Sequence, residues 1–220
     1  ASVPELSLSL SAKALVKGMV APKSIEMFRP SLKVERHRDG TLEVGFNTES
    51  PASQEFTQLM FSVLLAEPDP THPMSFLSRV NIFDADIQVY DQRLESTWSA
   101  PNAQVQLWRT ASGIKGDVTM DVLVGGTKAN VSVLGTYLAN EGRFDFGVDF
   151  NAVTPAAFAV FSPKLSMLAG MELPFQGTLT FSMLSDGSVE SFGFDVGASK
   201  GALSIPIKTA QSMGLLSLAQ

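Results

Sequence analysis

Apolar and polar residues alternate with period two through most of the chain. Leu6, Leu8 and Leu10 are separated by serines, and Leu42, Val44 and Phe46 by Glu43 and Gly45. Ala103, Val105 and Leu107 alternate with Asn102, Gln104 and Gln106. Val118, Met120, Val122 and Val124 lead to Gly125-Gly126, with Val131 and Val133 beyond. Phe144, Phe146, Val148 and Phe150, interleaved with Asp145, Gly147 and Asp149, form the cleanest run. Leu179, Phe181 and Met183 are followed, across a further turn, by Phe192, Phe194 and Val196. Successive side chains of a strand point to opposite faces, so each run predicts a half-buried strand with one oily face. Parallel strands covered on both faces would read as unbroken apolar runs, so the pattern predicts antiparallel pairing.

The runs are punctuated by a polar residue and a glycine, at Asp39-Gly40, Ser112-Gly113, Glu141-Gly142 and Asp186-Gly187. Glycine reaches positive φ without steric cost, as tight hairpins require. The result is about a dozen strands in a long meander. At ~4.8 Å between neighbours an open sheet of that size would extend roughly 55 Å, and sheets so wide tend to curl, split or close. The expected fold is mainly β: one module over residues 1–220, a long antiparallel meander curled into a half-open, taco-like groove.

Two segments depart from period two. Residues 50–67 open with Ser50-Pro51, an N-cap followed by proline at the first helical position. Phe56, Leu59, Met60, Val63 and Leu64 then recur at helical spacing. Residues 154–170 open with Thr154-Pro155 and carry Phe158, Phe161, Leu165 and Leu168, with Pro163 expected to shorten or kink the helix. Both are expected to cap an end of the sheet and protect strand edges. Between them, residues 67–73 hold three prolines and read as a loop.

Composition narrows the function. Sixteen basic and twenty-two acidic residues give a net charge of −6, against nucleic acid, whose phosphates need surplus Lys and Arg. The charged fraction of 17% is below the ~25% usual for soluble domains. With no cysteine there is no disulfide, thiolate metal site or cysteine nucleophile, and His37 and His72 are the only imidazoles. This weighs against an enzyme, and no cofactor is expected. The least polar stretches, residues 56–66 and 209–220, fall short of the roughly 18 apolar residues of a membrane span. The chain starts at Ala1 without a charged-then-apolar leader, which reads as a processed protein or a fragment whose anchor or export signal lies elsewhere.

Several short motifs have the residue types of known chemistry. Gly197-Ala198-Ser199-Lys200-Gly201 has the string of a nucleophile elbow, but that turn must lead into a helix and be followed by a histidine. Here a strand-like run, residues 202–207, follows and no histidine does. Ser112-Gly113-Ile114-Lys115 has the spacing of acyl-transfer enzymes but spans a predicted hairpin rather than a helix start. Asp84-Ala85-Asp86 and Asp145 with Asp149 could in principle hold a hard cation, yet calcium needs six to eight oxygens from a shaped loop. They read better as a solvated strand face, with no metal. Arg36-His37-Arg38-Asp39 is a basic turn that reads as an exposed hairpin, contact with anionic lipid being the alternative. His72 has no ligand-spaced neighbour, and Trp98 and Trp108 read as core or rim aromatics.

What remains is apolar surface: fifteen phenylalanines and nine methionines against two tyrosines. Either it packs a closed sandwich core, or it lines a surface that a hydrocarbon ligand completes.

Two passages carry a resemblance. Phe83-Asp84-Ala85-Asp86-Ile87-Gln88-Val89-Tyr90-Asp91, followed by Trp98-Ser99-Ala100-Pro101-Asn102-Ala103, resembles the AsmA-like superfamily of Gram-negative envelope proteins, nearest its YhdP-like branch. Thr154-Pro155-Ala156-Ala157-Phe158, through to Leu173-Pro174-Phe175-Gln176-Gly177-Thr178-Leu179, is similar to that family's helix-then-strand segment. The likeness is best over about residues 80–205, with Arg29-Pro30-Ser31-Leu32 and Asp39-Gly40-Thr41-Leu42 as looser matches; the family's amino-terminal membrane helix is absent.

The resemblance implies a periplasmic module of a longer, inner-membrane-anchored protein. Such a protein carries phospholipid between inner and outer membranes beside neighbouring β repeats, and the family has no catalytic residue to carry over. The expected lipid-contacting residues are Phe144, Phe146, Val148, Phe150, Leu179, Phe181, Phe192 and Phe194; charge at Phe146 or Phe181 should reduce lipid crosslinking. The rival expectations are a scaffold for outer-membrane protein biogenesis with a packed interior, and a hydrolase using Ser199.

Overall fold

The computed structural model describes residues 5–39, 41–46, 63–64, 69, 71–93, 95–124, 126–159 and 163–198. The first candidate helix, residues 50–67, falls outside these apart from Val63 and Leu64, which have helical backbone. Ser199, with residues 202–207, also lies outside the described residues.

Eleven strands form one sheet among the described residues: β1 (Glu5–Leu10), β2 (Pro22–Phe28), β3 (Ser31–Arg36), β4 (Leu42–Phe46), β5 (Arg79–Asp91), β6 (Ser96–Arg109), β7 (Gly113–Val124), β8 (Thr127–Leu138), β9 (Arg143–Val153), β10 (Phe175–Leu184) and β11 (Val189–Ala198). The short helix α1 (Ala12–Val16) joins β1 to β2 and is capped by the Ser11 hydroxyl, which accepts from the Ala14 N–H. From β5 to β11 the sheet is the antiparallel meander the alternation predicts, each strand hydrogen-bonded to the next.

Three features differ from the sequence-based expectation. First, the sheet is open and not strongly curled, so it does not form a taco-like groove; β1 and β11 stand at opposite ends of the strand order. Second, β2 and β3 are two halves of one interrupted strand running parallel to β5. Parallel neighbours need a long connection rather than a hairpin, and in sequence residues 47–78 separate β4 from β5. Third, residues 154–170 form short 3₁₀ segments, Pro155–Phe158 and Pro163–Gly170, rather than an α-helix. A proline lacks the N–H that α-helical bonding needs, and one opens each segment.

The interruption between β2 and β3 is matched on their neighbours. Arg29, Asp84 and Asn102 all have positive φ (53°, 53° and 57°), and the β5–β6 and β6–β7 registers both slip at this level. Asp and Asn tolerate this conformation better than most residues. The Asp84 carboxylate also accepts from the Gln104 side-chain amide at 2.8 Å, tying the two strands across the slip. Such bulges bend and twist a sheet locally.

One face of the sheet is apolar throughout, and its middle is covered at two places. Towards the start of β5, Leu64 and Leu77 pack with Ile25, Met27 and Val80. Towards its end, Ala157 and Phe158 lie against the cluster of Leu32, Ala85, Ile87, Ala100, Ala103 and Val122. Fully burying a side chain the size of Val80 or Leu77 is worth about 1.5–3 kcal/mol, so these two clusters anchor the β2–β7 half. The 3₁₀ segment thus covers the sheet's face rather than a strand edge, as the sequence had suggested.

Candidate functional site

The in-register pairing sorts the apolar residues of β6–β11 into rows across the sheet. Val105, Val118, Val133, Val148, Leu179 and Phe194 stand opposite one another in one row. A second row runs Leu107, Gly116, Gly135, Phe146, Phe181, Phe192, and a third Met120, Val131, Phe150, Gly177, Val196. Ile114, Tyr137, Phe144, Met183 and Val189 make a fourth. Directly opposed residues of an antiparallel pair share a face, so all eight residues singled out in the sequence fall on one surface. Their rings touch: Phe146 stacks on Phe181 with centroids 4.8 Å apart, and Phe144 on Tyr137 at 4.5 Å.

Cover thins out across this surface. The residues of β7–β10 on it are half-buried, but Phe192 is 64% and Phe194 71% exposed, with Val189 and Val196 exposed beside them. The opposite end mirrors this, with Leu6, Leu8 and Leu10 each more than half exposed. Singly exposed apolar residues are ordinary; contiguous stripes of them mark contact surfaces.

Within the face lies an apolar hollow of about 280 Å³, floored by Gly116 and Gly135 and walled by Leu64, Leu107, Ile114, Tyr137, Phe144 and Phe146. Sequence reading missed it. The signal was present, since Gly116 and Gly135 occupy positions where the alternation calls for apolar side chains.

The other face is polar and its groups bond to one another. The Thr178 hydroxyl donates to Asp149 at 2.5 Å and the Ser182 hydroxyl to Asp145 at 2.7 Å, each across the β9–β10 ladder. Asp145 also meets the Arg143 guanidinium at 3.2 Å. These carboxylates therefore join strands, and no group of three or more His, Asp or Glu suited to a metal occurs among the described residues. Asp121, the Asn130 amide and the Lys128 ammonium form a similar knot, Lys128 at 2.7 Å.

The remaining motifs resolve individually. Ser112 lies in the turn before β7 and Lys115 on the strand opposite Trp108 and Thr136, so the pair sits on no helix start. Each basic residue of this turn has a carboxylate partner: Arg36 with Asp91 at 3.1 Å, Arg38 with Glu95 at 3.6 Å, and the His37 imidazole in hydrogen-bond contact with Glu43 at 3.1 Å. Trp98 packs on the apolar core, while Trp108 lies on the polar side between Arg79 and Lys115.

No protein-family model matches this chain, and no curated protein matches it. Among the described residues, no helix is long and apolar enough to cross a membrane.

Proposed function

We propose that this chain is a non-enzymatic lipid-binding module whose apolar sheet face shields phospholipid acyl chains from water. The observation that carries this reading is the bare stripe Val189, Phe192, Phe194 and Val196, continuous in register with the half-buried floor on β9 and β10. Each methylene moved from water onto such a floor gains about 0.8 kcal/mol. Successive positions are near-equivalent, so a chain can slide along it without a specific polar contact. Because the sheet is open, the shelter is a floor against which the chain lies, not an enclosed tunnel. The resemblance to AsmA-like proteins extends the proposal to a periplasmic setting, with transfer between inner and outer membranes by a longer, anchored protein.

The test is native mass spectrometry of the purified chain, with photocrosslinking to a phospholipid bearing a diazirine in its acyl chain. Phe192 and Phe194 are exposed, so the double variant F192S/F194S should fold and lose most of the crosslinking. A folded variant that keeps the full lipid complement overturns the proposal.

A second reading, a scaffold for outer-membrane protein assembly, draws support from β11, which pairs only with β10 among the described strands. It expects co-purifying protein and no phospholipid.

A further inference from the structure

Sequence distance hides a second feature, the distribution of cations at the end of the sheet where β5 begins. Lys13 lies on α1, Lys17 just after it, and Lys23 on β2. Arg79 opens β5 and Arg109 closes β6. A cleft of about 600 Å³ is lined by Lys13, Lys17, Lys23, Ser11, Ser75 and Phe76, among others. A second, of about 260 Å³, shares Lys23 and Ser78 with it and adds Arg79, Trp108 and Arg109. Among the described residues, no aspartate or glutamate lines either cleft.

None of the ion pairs among the described residues involves these five cations. The Lys17 ammonium rests 5.7 Å over the Phe76 ring, a contact that orders the charge without neutralising it. Among the described residues, Arg109 donates to neutral carbonyls, those of Ser75 at 3.0 Å and of Val63, and its buried Nε has no acceptor. Burial accordingly pushes its pKa down. In a chain of net charge −6 this concentration is local. In the other basic cluster, Arg36-His37-Arg38 at the far end of the same strands, both arginines are paired with carboxylates.

We propose that the paired clefts bind a phosphoryl group, with Lys13, Lys17 and Lys23 as its principal charge partners and Arg79 at the edge. Three compact ammonium groups lining one cleft are point charges that can each meet a different oxygen of a tetrahedral phosphoryl group, the way lysine binds phosphate. The stripe Leu6, Leu8, Leu10 on β1 runs directly into this end of the sheet, Leu10 adjoining Ser11 of the larger cleft. A phospholipid lying with its acyl chains on that stripe would bring its phosphodiester to the lysines. The assignment of a headgroup as the source rests on the lipid-binding reading; binding of the phosphoryl group itself does not.

The experiment uses the full chain, the variant K13Q/K23Q, and K115Q/K128Q as a control that removes equal charge elsewhere. Lys13 and Lys23 are exposed, so the variant should fold. One arm titrates inorganic phosphate by NMR. The other floats the protein with vesicles of phosphatidylglycerol in phosphatidylcholine, or of phosphatidylcholine alone, at ~0.15 M salt, where long-range attraction is screened beyond about 8 Å. Expected is a preference for the anionic vesicles, reduced tenfold or more in K13Q/K23Q and little in the control. Phosphate shifts around Lys13 and Lys23 without vesicle preference also uphold the site and make free phosphate its ligand. If K13Q/K23Q matches the native chain or the control in both arms, the proposal is overturned. Phosphate binding is also measured in F192S/F194S. Its persistence there after lipid crosslinking is lost shows that the two surfaces act independently, so failure of one proposal is told apart from failure of the other.

Discussion

Gly116 and Gly135 stand directly opposite each other on β7 and β8, and the space their missing side chains leave is overhung by Leu107 and Phe146. A Cβ on Gly135 would lie 3.2 Å from the Phe146 ring, and one on Gly116 3.0 Å from a Leu107 methyl. Both neighbours are side-chain ends bordering a hollow and can shift. Gly135→Ala should therefore change stability by less than about 1 kcal/mol, since the ring's displacement offsets the strand glycine's ~0.5–1 kcal/mol entropic disadvantage. Gly135→Leu should fill the hollow and weaken binding of a fluorescent fatty-acid probe about fivefold or more. Unchanged probe affinity in a folded Gly135→Leu protein would remove the hollow from the lipid-contacting surface.

Gly113 makes the contrasting case. At φ +151° its Cβ would sit 1.9 Å from the Tyr137 carbonyl oxygen, a backbone atom fixed by the β7–β8 ladder. Gly126, in the turn at the other end of the same hairpin, has φ +80° and open space around it. Gly113→Ala should cost about 3 kcal/mol or more and Gly126→Ala only about 1 kcal/mol. Thermal melts of the two variants test the order, and a larger loss in Gly126→Ala contradicts it.

A shared turn device sets an acid dependence. In Asp186-Gly187-Ser188 the aspartate Oδ1 accepts from the Ser188 hydroxyl at 2.7 Å and its N–H at 2.9 Å, and Asp39 and Asp69 hold Thr41 and Thr71 in the same way. The hydroxyl bond first, then the N–H bond, keeps each carboxyl below its ordinary range. A carboxylate whose folded pKa is depressed adds stability that is complete above the unfolded pKa of about 3.9 and disappears as pH falls through the folded pKa. The urea midpoint of Asp186→Asn should lie below the native one at neutral pH and converge on it as the pH falls below the ordinary carboxylate range. A gap that is constant with pH counts against the ionised turn.

Arg36 and Asp91 are paired in register on β3 and β5, the aspartate nearly buried and also accepting from the Arg93 N–H at 2.8 Å. Removing the guanidinium leaves a carboxylate with little access to water. Breaking a fully buried pair costs about 3–5 kcal/mol, but Arg36 is partly exposed and screened, so Arg36→Gln should cost about 1–2 kcal/mol. Chemical denaturation measures it, and a loss under about 0.3 kcal/mol would place the pair among surface bridges of no consequence.

The strands and their oily face were legible because period two is imposed by the backbone itself. Phe144, Phe146, Val148 and Phe150 show it without interruption, and the ladder puts them in register with Phe181, Leu179 and their β11 neighbours. The parallel line of β2 and β3 beside β5 was not legible. Alternation tells which residues share a face but not the direction of the neighbouring strand. Nor was the thinning of cover towards β11, which depends on where Leu64, Leu77, Ala157 and Phe158 come to rest. Lys23 and Arg79 line one cleft only because the chain returns to that end of the sheet after more than fifty residues. Arg36-His37-Arg38 was conspicuous because it is contiguous, and it is the cluster the fold neutralises.

β5 has neighbours along both edges, β6 on one and β2 followed by β3 on the other, and Val80 and Ala85 on it are wholly buried, whereas all of β11 except Gly193 is exposed. Amide protons leave through local openings whose cost tracks such packing. Deuterium should thus invade the sheet from both ends, taking the exposed edge strands β1 and β11 first, β10 after β11, and the β5 seam last. The face left barest is then also the most pliable, able to yield to an incoming guest while the strands beside β5 hold their shape.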